Sequence, residues 1–112
     1  MSLSELITGK QGLERALKSR DRAIVLFYAS WCPFSRSFLP VFERSAKERP
    51  GRFFRVLVDD QPELCADYRV EVYPTVIFFK NEEVVLRLDG LAGFGLDEKG
   101  LSKFIADCDL EP

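Results

Sequence analysis

At 112 residues the chain is long enough for one hydrophobic core and too short for two. An apolar share of 46% and a charged share of 30% are those of an ordinary globular domain, and a net charge of −2 with both signs interspersed gives no footing for nucleic acid or an anionic membrane surface. No apolar run approaches the roughly 20 residues that cross a bilayer, and the absence of histidine excludes a Cys–His protease or a histidine-ligated zinc centre.

Residues 3–8 alternate weakly through Leu3, Glu5 and Ile7 and read as a short edge strand. Gly9 to Arg20 reads as an amphipathic helix with Leu13, Ala16 and Leu17 on its inner face. Asp21-Arg22 turns the chain into Ala23 to Tyr28, a continuous apolar run that predicts a strand buried on both faces. A short hinge leads to Trp31-Cys32-Pro33-Phe34-Ser35 and a helix whose core stripe is Phe34, Phe38, Val41, Phe42 and Ala46. Pro40 falls inside it, where a lost hydrogen bond predicts a kink, and Pro50-Gly51 ends it.

Phe53 to Val58 is a second β-rich run, closed by Asp59-Asp60-Gln61-Pro62, and Glu63 to Tyr68 a short helix carrying Cys65. Val70 to Phe79 is strand-like but interrupted at Tyr73-Pro74, a candidate cis bond at a strand entry. Lys80 to Glu83 reads as a turn, Val84 to Leu88 as a hairpin partner, Gly90 to Gly95 as a loop, and Asp97 to Cys108 as a closing helix with Leu101, Phe104, Ile105 and Cys108 inward. The order β-α-β-α-β-α-β-β-α predicts one α/β domain over 1–112: a mixed sheet, parallel at its centre and antiparallel at one edge, with helices on both faces.

Cys32 stands at the foot of a helix, where unpaired N–H groups and the macrodipole favour a thiolate. Pro33 at the first helical position costs nothing, since its missing N–H would have had no intrahelical partner. Ser35 reads either as a plain serine of the first turn or as a donor to that thiolate. The alternative for Cys32 is an inert residue on a fold used for binding. Cys65 and Cys108 lie on apolar helix faces and read as packing; a sharper idea makes Cys65 the thiol that resolves Cys32. Arg36, Asp59-Asp60 and Glu82-Glu83 read as solvated, without the convergence a metal site needs.

These residues resemble the thioredoxin superfamily over nearly the whole chain. Phe27-Tyr28-Ala29-Ser30-Trp31-Cys32 looks like the strand-to-active-site segment of thioredoxins and protein disulfide isomerases, and Pro40 falls at the family's helix-kinking proline. Tyr73-Pro74-Thr75 resembles its cis-proline loop, and Gly90 its glycine on the groove rim. The resemblance implies a thioredoxin-like fold and a substrate groove at Trp31, Pro33, Tyr73, Pro74, Thr75 and Gly90, taking protein thiols or disulfides as extended peptides.

Two positions depart from the family. Its Cys-x-x-Cys is here Cys32-Pro33-Phe34-Ser35, and Leu26 stands where thioredoxins carry a buried aspartate and disulfide isomerases a glutamate. The departures agree: without a second thiol to deprotonate, a buried carboxylate brings desolvation cost alone. The expectation is a monothiol exchange protein with Cys32 and Ser35 as its catalytic pair. It needs no cofactor beyond an external thiol such as glutathione and works as a monomer. The alternatives are a non-catalytic binding module and a glutathione-dependent activity of glutaredoxin type; an iron–sulfur cluster on Cys32 is disfavoured by the cis-proline. Met1 to Lys10 has no signal-peptide pattern, which favours the cytoplasm unless a leader has been removed.

Overall fold

The computed structural model describes residues 4–110, the side chain of Asp60 excepted. Leu3, the first residue of the expected edge alternation, lies outside them. In chain order the elements are β1 (Glu5–Ile7), α1 (Gly9–Ser19), β2 (Arg22–Tyr28), α2 (Pro33–Glu48), β3 (Phe53–Leu57), α3 (Pro62–Asp67), β4 (Thr75–Lys80), β5 (Glu83–Asp89) and α4 (Glu98–Asp107), with a 3₁₀ turn at Val58–Asp60. They form one five-stranded sheet in the order β1-β3-β2-β4-β5. The inner strands β2 and β3, and β3 with β1, run parallel; β4 and β5 run antiparallel to their neighbours.

β2 is central because its side chains serve two layers. Ala23, Val25 and Phe27 join Leu13 and Leu17 of α1 and Leu64 of α3 in one core. Ile24 and Leu26 join Phe38 and Phe42 of α2 and Leu101 and Phe104 of α4 in the other. The period of two along a strand divides the run between the cores. Edge-to-face rings reinforce each layer, Tyr68 on Phe79 at 5.4 Å and Phe42 on Phe53 at 5.3 Å.

The interruption expected in the Val70–Phe79 stretch is there: Tyr73–Pro74 is cis, Val72 to Pro74 bend, and the strand begins at Thr75. Several expectations are corrected. Phe34 is not part of the α2 stripe: it is 38% exposed, and Val41 is only half-buried. Val58 leaves β3 for the 3₁₀ turn. The β4–β5 turn tightens to Asn81-Glu82, both at positive φ (52° and 71°), the backbone of a two-residue hairpin loop.

Candidate functional site

Strand register assembles the site. Thr75, the first residue of β4, pairs with Phe27 of β2 on one side and Asp89 of β5 on the other. The segments leaving those strands therefore meet at one end of the sheet: Ala29–Cys32 after β2, Tyr73-Pro74 before β4, Gly90 after β5. A Cβ on Gly90 would lie 2.5 Å from the Pro74 carbonyl oxygen, so only glycine allows this approach.

Cys32 is the N-cap of α2 and Pro33 its first residue. The Arg36 N–H closes the first helical bond onto the Cys32 carbonyl at 3.1 Å, which leaves the N–H groups of Phe34 and Ser35 without an intrahelical acceptor beside Cys32. Cys32 is 8% exposed, and its S–H donates to the Tyr73 carbonyl at 3.8 Å. Trp31 is 64% exposed and stands edge-on to the Tyr73 ring, centroids 5.8 Å apart. Trp31, exposed Pro33 and half-buried Tyr73 thus front the thiol, with Pro74 and Gly90 as the buried backbone floor.

Hydrogen bonds from three side chains fix the hinge. Ser35, fully buried, accepts the Ala29 N–H at its Oγ (3.1 Å), which ties the first turn of α2 to the end of β2 and leaves the hydroxyl its own proton to donate. Asp59 accepts the Ser30 N–H at 3.0 Å and the Ser30 hydroxyl as well. Those two bonds hold its carboxyl below the usual aspartate range. The Arg36 guanidinium donates to the Ser30 carbonyl at 3.0 Å. Asp59 and Arg36 are therefore positioning residues for the Trp31–Cys32 turn, a role that sequence reasoning missed: an Asp in a turn and an exposed Arg look solvated until the fold brings Ser30 between them.

Thr75 requires a correction. It is fully buried, and its hydroxyl donates to the Val72 carbonyl at 2.7 Å, so its side chain holds the cis-proline bend and does not form the groove wall. Arg87 of β5 ties down the turn that leaves α3, a few residues before that bend, donating to the Tyr68 carbonyl at 2.7 Å and the Arg69 carbonyl at 3.2 Å.

The family model for thioredoxin matches residues 5–107. The chain belongs to the thioredoxin family. It is 36% identical over 76 residues to the thioredoxin of Mycoplasmoides gallisepticum, a match covering 67% of this chain and 76% of that one. It is 34% identical over 85 residues to monothiol glutaredoxin-S17 of Arabidopsis thaliana, covering 75% of this chain and 17% of that protein. Among solved structures, the thioredoxin of Fasciola hepatica superposes with a TM-score of 0.81 at 30% identity, covering 91% of this chain and 96% of that one. The five-stranded mixed sheet with helices on both faces is the thioredoxin fold.

Within this thioredoxin-family frame, Leu26 is fully buried in the α2–α4 core. A carboxylate on that side chain would be surrounded by apolar groups. Cys108 is buried against the same core; burial first, then Asp107, pushes its thiol up to about 12, the behaviour of packing. Cys65 is half-buried, and its sulfur receives the Tyr73 hydroxyl at 3.7 Å. Burial, with that hydrogen bond second, pushes the Tyr73 phenol up to about 12. No group of three or more Cys, Asp or Glu side chains among the described residues converges as metal ligands would. No helix among them is long and apolar enough to cross a membrane.

Proposed function

We propose that this thioredoxin-family protein is a single-thiol exchange factor. Cys32 attacks one sulfur of a partner disulfide R–S–S–R′; the Cys32–S–R bond forms, the S–S bond of the partner breaks, and R′S⁻ leaves and takes up a proton. The observation that carries this reading is the placement of Cys32 at the N-cap of α2, with Ser35 where a family member would hold its second thiol. The attacking sulfur belongs to a residue flanked by first-turn N–H groups that have no intrahelical acceptor. Ser35 cannot break the Cys32–S–R bond, since a hydroxyl forms no disulfide, so a second small thiol such as glutathione releases the partner. The partner is a protein thiol or disulfide bound as an extended chain over Trp31 and Tyr73, with its backbone against the cis-proline loop.

A second reading, binding in the same groove without bond exchange, draws on the low exposure of Cys32, 8%. One experiment separates them. The protein is incubated with glutathione disulfide and with a disulfide-linked peptide, and adducts are located by peptide mass. The exchange reading expects an adduct on Cys32 that is lost in Cys32→Ala and reversed by reduced glutathione. Peptide binding that persists in Cys32→Ala without any adduct contradicts it and favours the second reading.

A further inference from the structure

Past Gly90 the chain enters a tight loop. Leu91 and Gly95 pair backbone to backbone, at 3.0 and 2.7 Å, and the Phe94 N–H returns to the Leu91 carbonyl at 3.0 Å. This pinned loop holds Leu91 and Phe94 in water, 64% and 56% exposed. It also leans on the first turn of α2: a Cβ on Gly95 would lie 2.7 Å from the Cβ of Phe34, two residues beyond Cys32. The apolar surface therefore runs on from the groove across Phe34 to the loop.

Beyond the loop, against the end of β5 and the face of α4, lies a trough of about 410 Å³ lined by Leu88, Leu91, Phe94 and Leu96 with Lys99 and Lys103 at its rim. A second trough of about 310 Å³ shares Leu88 and Lys103 and continues between β5 and α4. Both volumes fall in the range of about 300–1,000 Å³ that holds organic ligands. The two troughs are lined by three acidic side chains, Asp89, Asp97 and Asp107, and three basic ones, Arg87, Lys99 and Lys103, of which the two lysines are the ones left without a partner among the described residues. Asp89 is paired with Arg87 at 2.7 Å, and Asp97 caps α4 by accepting the Gly100 N–H at 2.8 Å. Lys99 and Lys103 are exposed and make no ion pair among the described residues; Asp107 stands at the far end of the second trough.

We infer that this trough is a specificity subsite for the polypeptide held at Cys32, taking a leucine or phenylalanine side chain of the partner with acidic residues beside it that meet Lys99 and Lys103. The covalent part rests on the exchange reading; the subsite itself does not. Apolar burial supplies the anchor and the lysines choose the charge of the flanks.

Short synthetic peptides test it, each with a cysteine activated as a thiopyridyl disulfide. One carries leucine, phenylalanine and glutamates, a second has serines for the two apolar residues, and a third has lysines for the glutamates. The first should modify Cys32 about tenfold faster than either control. Leu91→Ser with Phe94→Ser should erase the advantage over the serine peptide, and Lys99→Glu with Lys103→Glu the advantage over the lysine peptide. Reaction with a small thiopyridyl disulfide should stay unchanged in both variants. Equal rates for the three peptides on the unaltered protein, or an advantage that survives both variants, would overturn the subsite. If Cys32 reacts with no disulfide at all, the exchange reading fails and the subsite is read from cysteine-free, fluorescently labelled versions of the peptides. There the first must still bind more tightly by anisotropy, and equal binding overturns the proposal.

Discussion

Three residues shape the surroundings of Cys32: Ser35, which ties the first turn of α2 to Ala29; Tyr73, whose carbonyl accepts from the thiol; and Gly90, packed against the cis-proline loop. Gly90 is the one that tolerates no side chain, because a Cβ would stand 2.5 Å from the Pro74 oxygen. Gly90→Ala should therefore cost about 1–3 kcal/mol of stability, read as a lowered urea midpoint at unchanged slope; a midpoint equal to that of the unaltered protein would refute the steric account. Asp59 is exposed, so Asp59→Asn should leave the urea midpoint nearly unchanged. It should nonetheless alter the emission of Trp31, the only tryptophan, by loosening the Ser30 turn. Unchanged emission would remove Asp59 from the positioning set.

α2 shows how an element can be predicted correctly while one of its residues is not. The helix, its Pro33 start and its Phe38, Phe42 and Ala46 face follow from spacing alone. Phe34 shares that spacing but stands in the first turn, beyond the end of the sheet, where it meets Gly95 instead of the core. Phe38→Ala should thus cost about 3–5 kcal/mol and Phe34→Ala about 1 kcal/mol or less in chemical denaturation. Comparable losses would restore Phe34 to the core. The same limit explains the other misses. Local pattern showed the interrupted Val70–Phe79 stretch and the proline in it, but the Arg87 clamp and the inward turn of Thr75 depend on partners that only the folded chain brings close. Gly90 was legible through the family resemblance; Asp59 was not, since its meaning lies in Ser30, 29 residues away.

At the scale of the whole molecule, charge and burial set the pH range of stability. Asp59, held by Ser30, and Asp109, held first by Lys80 and then by Arg22, ionise more readily than free aspartate. Their contribution is present above the unfolded value of about 3.9 and is lost as pH falls below it toward their lower folded values. Tyr73 and Cys108 have folded values raised to about 12, so stability falls as pH rises from about 9 to about 12, where the unfolded chain gives up these protons first. Thermal midpoints should form a plateau between these limits, and Cys108→Ala should make the alkaline decline shallower; an unaltered decline would show that Cys108 does not contribute. The central claim is that Cys32 works without a resolving thiol. The most direct test is the lifetime of the Cys32–peptide mixed disulfide after excess disulfide is removed, compared with that in Ser35→Cys. The account predicts an adduct that persists in the unaltered protein until glutathione is added. In Ser35→Cys it should collapse, as the introduced thiol bonds to Cys32 and expels the peptide. Spontaneous release in the unaltered protein, with Cys32 found bonded to Cys65, would contradict it.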